Sequence, residues 1–257
     1  MPEEIVGLLP AAGLGSRLSP IPCSKEIFPI GFTVHHQHGD LHPKVVGQYL
    51  LEHMQRAGAT QVYFILRKGK WDIPDYFGDG SQLQLYLAYL IMQRPYGTPY
   101  SLDQAYNFVQ QKRVIFGFPD ILFEPQNALE QLLQRQDETA ADVVLGCFIV
   151  NHPNKWDMVA LDQNGIVTNI LAKPAQSDLV YNWAIACWGP TFTEFMHHYL
   201  NQEEEQLRVL GGELSVGEVI LAAINAGLQV QSVCFDTGSC LDVGVPEDLQ
   251  KAIRQLS

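Results

Sequence analysis

The sequence predicts an α/β fold: a Rossmann-like, mostly parallel sheet with helices on both faces, extended by a smaller mixed-strand region. Three observations carry this. Short apolar runs alternate with segments of helical periodicity along the whole chain. The first run, Ile5 to Leu9, enters a Gly-rich turn, as a buried strand does where it hands over to a ligand-binding loop. Hydrophobic residues make up 47% and charged residues 17% of the 257 residues, an ordinary globular composition able to build a sizeable core.

Each element has its own signal. Val45, Val46, Tyr49, Leu50 and Met54 recur at helical spacing, and Gly58 follows as a stop. Gln61 to Leu66 is rich in β-branched and aromatic residues and predicts a second strand. Leu83 to Met92 is a further apolar stretch, broken by Arg94-Pro95. Arg113 to Phe118 predicts a buried strand ending at Pro119-Asp120, and Leu129, Leu132 and Leu133 mark a helix. Ala141 to Val150 is the strongest strand signal in the chain. Beyond it, Met158 to Leu161, Ile166 to Leu171 and Asn182 to Trp188 predict shorter strands between turns. Helical patterns return at 191–200, 215–226 and 246–256. Neither an internal repeat nor a low-complexity linker interrupts the pattern, so a single domain over 1–257 is expected.

Charge narrows the partners. A formal net charge of −12 gives no basic footprint for nucleic acid and disfavours an anionic membrane surface. Phosphate binding would then fall to a few convergent cations. The five cysteines, Cys23, Cys147, Cys187, Cys234 and Cys240, are scattered without a CxxC pair, as expected of reduced thiols in a cytosol. The opening Met-Pro-Glu-Glu is acidic where a signal peptide needs positive charge, and no apolar run approaches the roughly 20 residues that cross a bilayer. A cytoplasmic protein is the expectation, with assembly into a homo-oligomer left open.

The turn after the first strand reads Pro10-Ala11-Ala12-Gly13-Leu14-Gly15-Ser16-Arg17-Leu18. Small side chains let a ligand approach the backbone, free N–H groups there can cradle phosphate oxygens, and Arg17 adds a bidentate cation. It is neither of the two best-known phosphate loops. The dinucleotide fingerprint would need Gly where Leu18 stands, and Gly69-Lys70 is followed by Trp71 where a P-loop needs Ser or Thr. Taken alone, such a turn is as often structural as functional.

The residues that follow decide between these. Ala11-Ala12-Gly13-x-Gly15-Ser16-Arg17-Leu18-x-Pro20 and then Lys25-x-x-x-Pro29-Ile30 resemble the signature of sugar-nucleotide pyrophosphorylases, the family of glucose-1-phosphate thymidylyltransferase and UTP–glucose-1-phosphate uridylyltransferase. That signature is roughly AGGxGTRLxP followed by PKxxxPV; Ser16 stands for Thr and keeps the hydroxyl, and Ser24 stands for the Pro before the lysine. Three later blocks extend the resemblance over nearly the whole chain: Phe118-Pro119-Asp120, Lys173-Pro174, and Leu241-Asp242-Val243-Gly244. Gln104 sits like the Gln of the family's Gly-Leu-Ala-Gln segment, and Gln93 is similar in place to the base-reading glutamine.

The resemblance implies an enzyme that couples a sugar 1-phosphate to dTTP or UTP and releases pyrophosphate, with Mg²⁺ as cofactor. By it, Ala11, Ala12, Gly13, Gly15, Ser16, Arg17, Lys25 and Gln93 would bind the nucleotide, with residues to about 140 forming the nucleotide half of the domain. Lys173 would hold the sugar phosphate, in the half from about 141 on. Asp120 and Asp242 would hold the metal, and Arg17, Lys25, Asp120 and Lys173 would serve the reaction. The two carboxylates are expected at the rim of one sheet, and neither has a cation nearby in sequence to neutralise it.

Departures fall on the sugar side. Ala172 replaces a Glu that contacts sugar hydroxyls, Asp157 stands near the Gly of a Tyr-Gly-Val segment, Ala184 stands near a Gly that lines the sugar pocket, and Ser101 replaces a Gly near the base. They leave two alternatives: a catalytically silent, nucleotide-sugar-binding regulatory subunit, and a cytidylyltransferase for a non-sugar phosphate. The chain ends soon after the Asp242 block, so no C-terminal β-helix is expected. His35, His36, His38 and His42 match no zinc spacing and read as a loop.

Overall fold

The computed structural model describes residues 3–34, 39–92, 96–210 and 212–256, with the side chains of 205–210 outside the description. From β1 (Ile5–Pro10) the chain passes two 3-10 turns, Ser16–Leu18 and Lys25–Ile27, into a hairpin of β2 (Pro29–Val34) and β3 (Leu41–Val45). Helix α1 (Val46–Arg56), β4 (Gln61–Leu66), the short α2 (Asp72–Phe77) and β5 (Tyr86–Ile91) follow. Next come α3 (Thr98–Asp103), α4 (Tyr106–Val109), β6 (Arg113–Gly117) and β7 (Ile121–Glu124). Helix α5 (Ala128–Thr139) leads to β8 (Val143–Ile149), the hairpin β9 (Met158–Leu161) and β10 (Val167–Leu171), and the long β11 (Tyr181–Trp188). Helices α6 (Pro190–Leu210) and α7 (Val216–Asn225), strands β12 (Val230–Phe235) and β13 (Ser239–Asp242), and helix α8 (Pro246–Leu256) complete it.

Nine strands form one sheet. Its main path runs β5, β4, β1, β6, β11, β8, β12, with β9 and β10 branching from the first residues of β11. Pairing is parallel from β5 to β6 and between β8 and β12, and antiparallel on both sides of β11. The mostly parallel α/β sheet expected from the sequence is therefore present. Strands in its middle are apolar on both faces, since helices cover each side. Leu8, Phe116, Trp188, Phe192 and Val219 pack on one face, and Leu9, Leu50, Ile115, Leu129 and Leu132 on the other. Helix α7 starts where Ser215 and Glu218 form a reciprocal capping box.

Two short ladders lie off this sheet, β2 with β3 and β7 with β13. Both depart from the expected reading. His42 lies in β3, a strand where a loop is expected, and His35, His36 and His38 lie outside the described residues. The β2–β3 strands expose Phe32, Val34 and Leu41, so they lack the alternation that would reveal them.

Register fixes where a ligand can bind. Val6 pairs with Val114 and Leu8 with Phe116, so the loops leaving β1 and β6 emerge side by side at the carboxyl edge. A third small core of Ile30, Val46, Val243 and Ala252 ties β2, α1 and α8 beneath those loops.

One buried titratable group gives this fold a pH signature. His53 on α1 lies edge-on to Phe123 with ring centroids 4.5 Å apart, and among the described residues its Nδ1 has no hydrogen-bond partner. Burial first, then the Arg56 and Lys44 charges, lower its pKa to about 4. The folded value lies below the unfolded one, so the unfolded chain binds the extra proton. Stability from this site is complete above about pH 6.5 and is lost as pH falls toward about 4, to the extent of roughly 3 kcal/mol. Replacing His53→Leu should flatten the thermal midpoint between those pH values; an unchanged slope would show that other groups govern acid unfolding.

Candidate active site

The Gly-rich turn begins inside the sheet. Ala11 is buried and its N–H donates to the Ile65 carbonyl at 2.8 Å, which extends the ladder of β1 with β4 by one residue. Backbone becomes open at Ala12 and Gly13. Gly15 holds φ of 65°, and a Cβ on Gly13 or Gly15 would meet none of the described residues within 4 Å. The turn is thus bounded by open space on the ligand side. Ser16–Leu18 then turns once, which sends the Arg17 side chain over the carboxyl edge of the sheet, 61% exposed.

Asp120 follows β6 across Phe118-Pro119 and is buried to 8% exposure. Asp242 arrives from β13. The two meet because β13 pairs with β7 antiparallel, with Asp242 opposite Ile121, and because the Val243 N–H donates to the Asp120 carbonyl at 2.9 Å. This corrects the expectation of two carboxylates on the rim of one sheet: Asp120 lies in the turn that leads from β6 of the main sheet into β7, and Asp242 ends β13 of the separate two-stranded ladder.

Gly244 closes the floor. A Cβ there would lie 2.8 Å from Asp242 Oδ1, 3.1 Å from Asp120 Oδ2 and 3.3 Å from an Arg17 Nη, so a side chain would have to push these three groups aside. The same point sets the two carboxylate oxygens within about 6 Å of each other. A Mg²⁺ ion with oxygens at about 2.1 Å spans roughly 4 Å between opposed ligands, so the pair fits one ion after a small shift or through a water.

The cations missing from the local sequence come from the N-terminal turns. Lys25 Nζ donates to Asp120 Oδ2 in a short ion pair, and an Arg17 Nη lies 3.5 Å from Asp242 Oδ2. Burial alone would lower the Lys25 pKa, but the Asp120 charge and hydrogen bond, with Glu26 and Asp242, outweigh it and raise the pKa. Burial and then the Asp120 charge push the Asp242 carboxyl up, against the Gly244 N–H, Arg17 and Lys25. A divalent cation would relieve both causes, and the donor set of two desolvated carboxylates suits a hard ion. Among the described residues no group of three or more His, Cys, Asp or Glu is placed to bind a metal, so the remaining ligands would be water and substrate.

Lys173 lies apart from this quartet, in the loop after β10, with φ of 39°. Asp157 is its near neighbour. Burial raises the Asp157 carboxyl, and the Lys173 charge opposes that. Trp183 borders Asp157 and packs on Phe118 with ring centroids 6.1 Å apart, which links this second patch to the strand end carrying Asp120. Ala184 is fully buried within β11. Ser101 is buried with its Oγ 2.9 Å from the Met92 sulfur, and the Gln104 amide donates to the Tyr100 carbonyl at 3.2 Å. Gln93 lies outside the described residues.

Three supporting residues were not evident from sequence: Glu26, Lys70 and Asp72. Lys70 Nζ donates to both Glu26 oxygens, at 2.7 and 2.8 Å. Asp72 accepts from the Ser24 N–H at 2.7 Å and its hydroxyl at 2.8 Å. Their nearest sequence signal is Gly69-Lys70, a pair that a P-loop shares but that Trp71 follows here.

The fold and the convergent residues define a class, the nucleotidyltransferases. The family profile described as nucleotidyl transferase matches residues 6–257, and the chain belongs to that family. It is 27% identical over 250 residues to the low-salt glycan biosynthesis nucleotidyltransferase Agl11 of Haloferax volcanii, covering 96% of this chain and 64% of that protein. It therefore spans less than two thirds of that relative's length. It is 26% identical over 255 residues to a glucose-1-phosphate thymidylyltransferase of Actinoplanes sp., covering 96% and 76% of the two chains. A solved UDP-glucose pyrophosphorylase complexed with UDP-glucose superposes with a TM-score of 0.78 at 17% identity over 98% of each chain, a likeness of fold. No described helix is long and apolar enough to cross a membrane.

Proposed function

We propose that this chain couples a sugar 1-phosphate to dTTP or UTP and releases pyrophosphate, with Mg²⁺ as its cofactor. The observation that carries the reading is the convergence of Arg17 and Lys25 from the N-terminal turns with Asp120 and Asp242 from two distant segments, at one edge of an α/β sheet. An acidic protein that gathers two cations and two desolvated carboxylates at an open Gly-rich turn has built a place for a polyphosphate and a hard ion.

In this reading an oxygen of the sugar phosphate attacks the α-phosphorus, a new P–O bond forms, and the bond to pyrophosphate breaks. The chain's task is placement and charge. Arg17, exposed at the open turn, grips the leaving pyrophosphate. Lys25 turns from Asp120 toward the α-phosphate. Lys173 holds the attacking phosphate, in the half of the domain after about residue 140. Asp120 and Asp242 hold Mg²⁺, which when bound neutralises phosphate charge. The free N–H groups from Ala12 to Ser16 face the triphosphate.

The test is pyrophosphate release over a panel of triphosphates and phosphate acceptors, with and without Mg²⁺. Release only with dTTP or UTP and a sugar 1-phosphate supports the reading. Release only with CTP and a non-sugar phosphate, or nucleotide-sugar binding with no release, replaces it. A second test uses Arg17→Ala. Its pairing is long and solvent-exposed, worth at most about 1 kcal/mol to the fold. Turnover should fall by about 10-fold to 100-fold with the thermal midpoint nearly unchanged. A lowered midpoint with normal turnover would make Arg17 a structural residue.

A further inference from the structure

We infer that Lys70 and Asp72 are positioning residues for Lys25, acting as a clamp on the turn that presents it; this rests on the proposed role of Lys25 at the triphosphate. The turn is short. Ile27 N–H donates to the Ser24 carbonyl and Phe28 N–H to the Lys25 carbonyl, so Ser24 to Ile27 forms a single 3-10 turn with little rigidity of its own. Its stiffness has to come from outside.

The loop after β4, with Lys70, and the first residue of α2, Asp72, supply it from one side. Asp72 holds both polar groups of Ser24, the residue before Lys25. Lys70 holds both oxygens of Glu26, the residue after it, with side chains 6% and 1% exposed. Helix α1 closes the other side: a Cβ on Gly47 would lie 3.0 Å from the Glu26 carbonyl oxygen, and the Val46 N–H donates to the Phe28 carbonyl at 3.0 Å. Lys25 is thus the side chain of the turn left to reach the site, and it does so onto Asp120.

The Lys70–Glu26 pair has a second duty. A buried ion pair adds little to stability compared with an apolar pair of the same size, so its retention calls for a positional reason. Glu26 adjoins Lys25, and its charge acts on the Lys25 ammonium. With Lys70 bound, Glu26 is already satisfied. Without Lys70, a buried carboxylate next to Lys25 becomes a rival to Asp120 for the same ammonium. The clamp therefore both fixes the backbone and keeps Lys25 directed to the site.

Four variants of the full chain test this: Lys70→Met, Lys70→Arg, the double change Lys70→Met with Glu26→Leu, and Asp72→Asn. The readouts are kcat and KM for the triphosphate, thermal midpoint, and acylation of Lys25 by a soluble succinimidyl ester, read by peptide mass spectrometry. Lys70→Met should lower kcat by 30-fold or more with KM moved less than fivefold. Lys70→Arg should recover most of it. The double change should recover kcat to within fivefold of the parent, because the rival carboxylate is gone. Asp72→Asn, a milder change in case Lys70→Met does not fold, should lower kcat five- to tenfold at a near-parental midpoint and should alter Lys25 labelling at least threefold. Parental kcat in Asp72→Asn with unchanged labelling overturns the inference, as does a folded double variant no better than Lys70→Met. If the parent protein releases no pyrophosphate under any condition, the proposed function fails; the labelling change in Asp72→Asn then still decides whether the clamp holds Lys25.

Discussion

Asp120→Asn and Asp242→Asn each lower turnover by about 10²-fold to 10³-fold, and the double change costs little more than either alone. Each substitution keeps the shape of the side chain and removes its charge. The double result follows from proximity. A Cβ on Gly244 would lie 2.8 Å from an Asp242 oxygen and 3.1 Å from an Asp120 oxygen, so under the proposed function the two would share one ion and fail together. Triphosphate affinity measured without metal survives all three changes, because Arg17 and the turn amides remain. Stability moves the other way for Asp242→Asn. Burial and the neighbouring Asp120 charge already disfavour its ionised form, so removing that charge relieves repulsion and leaves the midpoint unchanged or raised. Kinetics over a magnesium titration, with calorimetric nucleotide binding in chelator, check each part. Losses that add across the pair would mean two separate roles, and full activity in chelator would remove the ion from the reaction.

Lys25→Gln is the second large effect. Turnover falls by about 10²-fold or more, since a fixed cation at a reacting phosphate contributes most in a partly dry cleft. The same change strengthens Mg²⁺ binding in the absence of substrate. Lys25 occupies Asp120 Oδ2, so an incoming ion must displace the ammonium from the carboxylate. Removing the ammonium removes the competitor. A rise in metal affinity together with a fall in turnover distinguishes this arrangement from a lysine that merely stabilises the loop, whose loss would weaken both. Isothermal titration with Mg²⁺ alone reads the first quantity, and pyrophosphate release reads the second.

Much of this was legible in the sequence, and the parts that were not share a cause. Val6 to Leu9, Val62 to Leu66 and Val114 to Phe116 are apolar without interruption because helices cover both faces, and that pattern survives in one dimension. Asp120 and Asp242 were recognisable as partners from their flanking blocks. The way they meet was not, because β7 and β13 are four residues each and include Ser, Cys, Asp and Glu, too short and too mixed for a period to show. The β2–β3 hairpin was hidden for the opposite reason, with apolar residues facing outward. Lys70, Glu26 and Asp72 were missed because an ion pair across 44 positions leaves no local trace. Burial of its two charges is visible only once the chain is folded.

The ladder of β7 with β13 also sets a timetable. Asp120 leaves the ribosome long before its partner, and at about 5–20 residues per second the roughly 120 residues between them take some 6 to 24 seconds to make. Strands β1, β4, β5 and β6, Lys25 and the Gly-rich turn are all synthesised before that interval begins. Until it ends, the nascent chain lacks the second carboxylate, the Gly244 floor and the Val243 anchor. Under the proposed function the growing polypeptide would gain competence only when β13 docks, in one late step.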